Sequence, residues 1–342
     1  MKIWQISADY LPNTGGVASH VFELSNSLSK LGHSVTVFTT VQNNSNEEPC
    51  HNFKVKRIKL FRLQPFYDFF LGNILNKQFK NNIPDVVHVH GIRPLVATRL
   101  LESPIVFTNH TSGFLQRIRK GKRDIKKIRK RMDHLTHVLA PSNELIDATR
   151  SVGYVKGATF IPNGVDTDKF NAIGPNLRNQ LDIGDKEFVI LIARRLVPKN
   201  GVMDFAESLK FIDNLNFKVL IAGDGPERSI ITRCLKNSRM LERTIFLGNI
   251  SNDDMPAVYR TANLSVLPSH MEATSITGLE SISSGLALVG TKVGGIPEII
   301  KDGVNGFIVD KGSPKQLAAA IGKCIQCDDK FKNFSRASLE LS

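Results

Sequence analysis

Asn263-Leu-Ser-Val-Leu-Pro-Ser269, Glu272-Ala-Thr-Ser-Ile-Thr-Gly-Leu-Glu280 and Leu286-Ala-Leu-Val-Gly290 stand in succession in a chain of 342 residues. The first run has the apolar character and length of a buried strand. The second passes from loop into helix, and Gly285 stops that helix where a left-handed C-cap belongs. The third is again apolar. A buried strand, a helix and a further apolar run are the repeating unit of a parallel sheet covered on both faces.

The same alternation extends outward. Residues 188–193 form a continuous apolar strand, followed by a helix near 202–211 and a strand at 217–222 that ends in Gly223-Asp-Gly225-Pro. A helix, a strand at 244–247 and a helix near 253–260 lead back to the opening stretch. In the first half, residues 2–8 read as a strand. Val17, Val21, Leu24, Leu28 and Leu31 then mark one helix face, Gly32 caps it, and Ser34–Thr40 is the next strand. Further strands are expected at 85–90, 105–109 and 137–140. The join is expected near Ile161-Pro-Asn-Gly-Val-Asp-Thr-Asp-Lys-Phe170, rich in Pro, Gly and Asp. The fold class is α/β, two doubly wound Rossmann-like domains over residues 1–164 and 165–342.

Composition narrows the function classes. A hydrophobic content of 41% is that of a globular chain, and no apolar run approaches the ~20 residues of a membrane span. Met1-Lys-Ile-Trp-Gln-Ile-Ser-Ala8 is too short an apolar segment for an export signal, so a cytoplasmic location is expected. Cys324-Ile-Gln-Cys327 has metal-ligand spacing but no second Cys/His pair nearby, and reads as two helix residues; with Cys50 and Cys234 these cysteines are expected reduced. Charge is lopsided. Residues 1–165 hold 23 Lys and Arg against 11 Asp and Glu, a net +12, whereas residues 166–342 hold 22 against 21. An acidic partner of the first half, whether anionic lipid, phosphorylated acceptor or nucleic acid, follows from that excess.

The opening stretch also carries chemistry. Glu272 would lie in the loop at a helix N-terminus and Glu280 roughly two turns in. A helix N-terminus offers free N–H groups and partial positive charge to a phosphate, and carboxylates on either side can accept hydrogen bonds from sugar hydroxyls. One sugar-nucleotide supplies all of these partners. Two such glutamates also occur by chance on solvated surfaces. The run from Asn263, through the two glutamates and Leu286-Ala-Leu-Val-Gly290, to Val293-Gly-Gly-Ile-Pro-Glu298 resembles the donor-binding region of retaining glycosyltransferases of the GT-B type, family 4. The resemblance extends from the Gly15-Gly16 loop to Gly306. It implies two Rossmann-like domains facing an interdomain cleft, an N-terminal one for the acceptor and a C-terminal one for the donor.

Residue by residue, the resemblance assigns Glu280 to the ribose, Glu272 to the donor sugar's hydroxyls, and the N–H groups near Ser275 and Ile276 to the diphosphate. Pro12-Asn-Thr-Gly15-Gly16-Val places Gly15 and Gly16 at the family's glycine pair close to the diphosphate, although a tight turn without ligand explains the same glycines. His110, in Thr108-Asn-His-Thr-Ser-Gly113, matches the histidine near the transferred sugar; His88 and His90 read as structural hydrogen-bonders, and His20 is unassigned. Ala193-Arg194-Arg195-Leu-Val-Pro-Lys199-Asn200-Gly201 resembles the family's Gly-Arg-Leu…Lys-Gly motif, in which Arg195 and Lys199 would neutralise a departing diphosphate without a metal. Arg194 departs from the family's glycine and Asn200 from its lysine, and Thr274-Ser275 stand where Phe-Gly is common. Gly223, Gly225, Gly294 and Gly295 match family positions that close backbone packing also explains.

Residues 117–131 hold ten basic residues and one acid, Asp124, with Ile118, Ile125, Ile128, Met132 and Leu135 at roughly helical spacing. A basic amphipathic helix on an anionic membrane or acceptor is one reading, and a solvated basic face is the plain one. Nucleic acid is not the expected partner, because no aromatics interleave for stacking bases. The expected activity is retaining, metal-independent transfer of a hexose from a UDP-sugar or GDP-sugar donor to a lipid-linked or anionic acceptor, with no cofactor, at the inner face of the membrane. The rivals are another GT-B enzyme, an epimerase or phosphorylase, and a silent membrane-associated sugar-nucleotide-binding module. A helix near 314–326 is followed by little chain, so the family's long return helix is expected to be short or missing.

Overall fold

Strands that are apolar on both faces need helices on both faces, and the chain supplies them twice. The computed structural model describes residues 1–12, 16–40, 52–60, 63, 66–110, 112–326 and 328–342. It divides into one unit of Met1–Asn163 and another of Gly164–Ser342. The N-terminal unit runs β1 (Lys2–Ser7), α1 (Gly16–Lys30), β2 (Ser34–Thr40), β3 (Lys54–Ile58), α2 (Phe66–Asn81), β4 (Val86–His90), β5 (Ile105–Thr108), α3 (Ser112–Arg119), α4 (Lys122–Met132), β6 (His137–Ala140), α5 (Asn143–Ser151) and β7 (Ala158–Phe160). Its sheet has the order β3-β2-β1-β4-β5-β6-β7, parallel throughout.

The C-terminal unit runs β8 (Val189–Ala193), α6 (Val202–Ser208), β9 (Lys218–Ala222), α7 (Arg228–Asn237), β10 (Thr244–Gly248), α8 (Met255–Thr261), β11 (Leu264–Leu267), α9 (Ile276–Ser283), β12 (Ala287–Thr291), α10 (Ile296–Ile299), β13 (Gly306–Val309), α11 (Pro314–Gln326) and α12 (Asp328–Leu341). Its parallel order is β10-β9-β8-β11-β12-β13. In both sheets the order reverses beside the first strand of the unit, between β1 and β4 and between β8 and β11. Loops diverge at such a reversal, and the crevice beyond the strands' carboxyl ends is where doubly wound sheets hold ligands.

Each sheet builds a core on both sides. Every residue of β8 is buried; Ile190 and Ile192 face one apolar cluster with Phe205, Leu235 and Ile321, while Val189 and Leu191 face another with Tyr259 and Leu286. Burial of one such side chain contributes roughly 1.5–3 kcal/mol. In the N-terminal unit Trp4, Ile6, Val87 and Val89 pack with Phe38, Leu71, Leu75 and Met132.

Several expectations from sequence need adjustment. The basic run 117–131 is not one helix: α3 ends at Arg119 and α4 begins at Lys122, because Gly121 adopts φ 113°, which breaks the helical path. The helix expected near 202–211 is α6 followed by a 3-10 turn at Leu209–Phe211. The strands β3, β7 and β13 lie where the sequence reading marked none. α12 packs on α9 and β12, with Ser338 Oγ donating to the Leu286 carbonyl at 2.7 Å, so this last helix is part of the C-terminal unit. Cys324 is a buried α11 residue, whereas Cys327 and Cys50 lie outside the described residues.

Candidate functional site

The reversal between β8 and β11 brings two loops together. Leaving β8, the chain passes Arg194 and Arg195 and forms a 3-10 turn at Pro198–Asn200 before α6. Leaving β11, it passes Pro268, His270 and Glu272 before α9. Backbone bonds join the two: the Lys199 carbonyl accepts from His270 N–H at 2.9 Å and from Met271 N–H at 3.2 Å. His270 Nε2 meets Asp204 Oδ2 of α6 at 2.5 Å. Glycines permit the close approach. A Cβ on Gly294 would overlap the Glu272 carbonyl, and one on Gly223 would overlap the Arg194 carbonyl.

At the centre stands Arg194. Its Nη1 donates to Glu272 Oε2 at 2.5 Å and its Nη2 to Ser275 Oγ at 2.7 Å, and the residue is only 8% exposed. Ser275 is the N-cap of α9 and its hydroxyl also accepts from Gly278 N–H at 3.1 Å. One guanidinium therefore ties a carboxylate to a helix N-terminus. A largely buried cation beside the positive end of a helix, with Lys199 and Arg195 on the same loop, leaves the positive charge in excess over Glu272. Such a place favours a further anion.

Glu280 lies on α9, nearly buried, and accepts a hydrogen bond from the Tyr259 phenol at 2.6 Å. Burial and the adjacent Glu280 carboxylate push the Tyr259 hydroxyl well above its ordinary range, which keeps it protonated and donating. Gly285, at φ 76°, ends α9; its N–H bonds the Ile282 carbonyl and the Leu286 N–H bonds that of Ser281.

The structure gathers Arg194, Glu272, Ser275 and the Lys199 backbone into one cluster. Ile276 is the first helical residue of α9, and Glu280 sits further along it. Arg195 and Lys199 have exposed side chains. Asn200, in the place of the family's lysine, is buried, and its amide donates to the Arg195 carbonyl at 2.7 Å. Sequence reasoning missed Arg194 and Tyr259. Arg194 had one available signal, a second arginine immediately after a buried strand; Tyr259 had none, since its partner is on another helix.

In the N-terminal unit the strand ends of β1, β4 and β5 bring histidines together. His88 Nε2 meets Thr108 Oγ1 at 2.6 Å, His90 Nε2 meets Gln5 Oε1 at 2.5 Å, and His90 Nδ1 meets His110 Nε2 at 2.9 Å. His20, on α1, places its ring 4.4 Å from that of His110. Burial lowers His20 to about 4 and His88 to about 3, and holds His90 and His110 well below their ordinary value, so the cluster is neutral at pH 7. Nitrogens of His20, His90 and His110 lie within 4.8 Å of one another, a set able to hold a metal ion, although hydrogen bonding already occupies two of them. Gly16 opens α1, while Gly15 lies outside the described residues.

Comparison with known proteins agrees with this architecture. The family described as Glycosyltransferase Family 4 matches residues 14–169, and the family described as Glycosyl transferases group 1 matches residues 175–340. The chain is 27% identical, over 95% of its length and 74% of the relative's, to a phosphatidylinositol N-acetylglucosaminyltransferase protein from Arabidopsis thaliana. Among solved structures, sucrose-phosphate synthase from Thermosynechococcus elongatus superposes with a TM-score of 0.88 at 16% identity, covering 100% of this chain and 94% of that one. Anabaena HepE in complex with UDP-glucose gives a TM-score of 0.82 at 19% identity, covering 100% and 94%. With both halves matched in order and two parallel sheets of the GT-B type, the chain belongs to the glycosyltransferases of group 1 and family 4.

Proposed function

We infer that this glycosyltransferase moves a hexose, with retention, from a UDP-sugar or GDP-sugar to a hydroxyl of a lipid-linked or anionic glycan acceptor. The observation that carries the reading is the Arg194 guanidinium joining Glu272 to the N-cap of α9. In this reading the diphosphate sits at the first turn of α9, near Ser275 and Ile276, with Arg194, Arg195 and Lys199 supplying positive charge. Glu272 accepts from the donor sugar's hydroxyls and Glu280 from the ribose. As the bond to the diphosphate breaks, negative charge grows on the leaving phosphate, and preorganised cations and N–H groups stabilise it. Gly16, at the start of α1, lines the diphosphate with Gly15, following the family pattern.

His110 is assigned to the transferred sugar. Being neutral, it acts as a hydrogen-bonding partner rather than a cation. The departing phosphate takes the acceptor's proton, and no metal or cofactor takes part. UDP-glucose in HepE and the phosphatidylinositol acceptor in the plant relative's name favour a UDP-sugar and a lipid. The C-terminal unit is the donor domain, and the basic N-terminal unit takes the acceptor and attaches peripherally to an anionic membrane at its cytoplasmic face. Among the described residues no helix is long and apolar enough to cross a membrane.

Thermal unfolding with UDP, GDP, ADP and CMP in parallel tests the reading. A nucleotide at 100 times its dissociation constant stabilises by ~2.7 kcal/mol. A shift with one diphosphate names the donor class and directs the sugar screen. No shift with any of them removes the donor site at α9.

A further inference from the structure

Three phenylalanines at the start of α2 point away from the core they could have joined. Phe66, Phe69 and Phe70 are 58%, 64% and 42% exposed, and their spacing of i, i+3 and i+4 puts them on one helix face. The opposite face of the same helix, Tyr67, Leu71, Leu75 and Phe79, is buried and already supplies the core. Leu63, one turn earlier, is 74% exposed. Exposed aromatics so grouped, on a helix whose core face is complete, mark a contact surface.

Basic residues lie next to them. Arg117, Lys120, Lys127 and Arg131 line a hollow of about 260 Å³ between α3 and α4, with Asp124 as the one acid and Ile128 at its base. Four cations against one carboxylate repel one another, and an anion relieves that repulsion. Arginine forks and lysine ammonium groups suit phosphate oxygens. The hollow and the aromatic face are neighbours: the Asp68 carboxylate, on the first turn of α2, acts electrostatically on Arg131, and the 3-10 turn Leu95–Thr98 packs against both α2 and α4.

We propose that Phe66, Phe69 and Phe70 insert into the headgroup boundary of an anionic bilayer while Arg117, Lys120, Lys127 and Arg131 hold a lipid phosphate in the adjacent hollow. The proposal deepens the membrane-surface reading of the N-terminal unit and rests on it. Basic charge by itself would give loose, salt-sensitive adhesion; aromatic rings beside a phosphate-sized basic hollow give depth and orientation. The apolar face excludes a purely soluble phosphate as the natural occupant, since such a ligand would leave the rings in water.

Flotation of the full chain with vesicles of phosphatidylcholine alone, and with phosphatidylglycerol added, tests this. Binding is expected only with the anionic lipid, and the triple variant Phe66→Ser/Phe69→Ser/Phe70→Ser should lose it by about tenfold or more. Lys127→Glu with Arg117→Glu should lose it comparably. Nucleotide-induced thermal shifts should be unchanged in both variants, which separates this surface from the donor site and confirms folding. Equal vesicle binding by the triple variant would overturn the insertion of the rings. Absence of binding to anionic vesicles, or full competition by glycerol phosphate, would overturn the bilayer as partner.

Discussion

Arg194 and Glu272 form an ion pair between the end of β8 and the loop before α9, with Nη1 and Oε2 2.5 Å apart and the arginine almost wholly buried. The pair occupies the reversal of strand order, where the donor is proposed to bind. The same guanidinium reaches Ser275, so it fixes both the carboxylate and the helix cap. Arg194→Ala should weaken diphosphate binding by about tenfold or more and lower stability by ~1–3 kcal/mol, because it strands a partly buried carboxylate. Arg194→Lys should recover stability better than binding, since an ammonium cannot fork to two partners. Calorimetric titration with the preferred nucleoside diphosphate checks this. If Arg194→Gly, which restores the family's residue, binds as tightly as the parent, the arginine merely fills space.

Glu280 depends on a residue outside its own motif. Tyr259→Phe removes the phenol that bonds its carboxylate in a buried setting, which should cost about 0.5–1.5 kcal/mol of stability. Nucleotide affinity should fall as well, because the carboxylate loses one of the bonds that orient it. A variant with lowered stability and unchanged affinity for UDP and GDP would separate Glu280 from the ribose.

The sheets were legible where burial dictates the pattern. Val189–Ala193 and Ser34–Thr40 are apolar because helices cover both their faces, and period and turn glycines mark their ends. β3, with Lys54, Lys56 and Arg57 in five residues, is an edge strand with one polar face, so its sequence looks like loop. β13 is four residues long and begins at a glycine. At the site, Glu272, Ser275 and Glu280 were legible because loop, cap and helix are contiguous in sequence. Arg194–Glu272 and Tyr259–Glu280 were not: each pairs residues from different elements that only the strand order brings together.

The histidine cluster makes stability depend on pH in a definite direction. His20, His88, His90 and His110 are held neutral by burial, with folded values below the unfolded 6.5. The unfolded chain therefore binds more protons below pH 6.5. Stability should be fully present above that pH and fall progressively below it, down to about 4 for His20 and about 3 for His88. Melting at pH 7.5 and pH 5 should differ by several degrees, and His20→Gln should narrow the difference. Identical melting at the two pH values would mean that these imidazoles are already hydrated or charged.

Metal removal tests the electrostatic account of the leaving diphosphate. If Arg194, Arg195, Lys199 and the N–H groups of α9 carry that charge, exhaustive chelation should leave the transfer rate unchanged. A rate lost on chelation and restored by one divalent cation would place a metal in the reaction. His20, His90 and His110 would then be the ligands to substitute first, because their nitrogens already converge.

Gly294 carries the last prediction, and Gly303 is its control. Both have positive φ, 54° and 76°, so alanine at either should cost roughly 1–2 kcal/mol for the backbone alone. Around Gly303 nothing lies within 4 Å of an added Cβ, whereas at Gly294 the added atom would overlap the Glu272 carbonyl. Gly303→Ala should therefore lower the melting temperature and leave nucleotide binding intact. Gly294→Ala should do both, because relieving the overlap moves the Glu272 backbone and with it the carboxylate held by Arg194. Paired melting and nucleotide-titration experiments on the two variants measure the difference. If Gly294→Ala retains parental affinity, the position of Glu272 is not what sets donor binding.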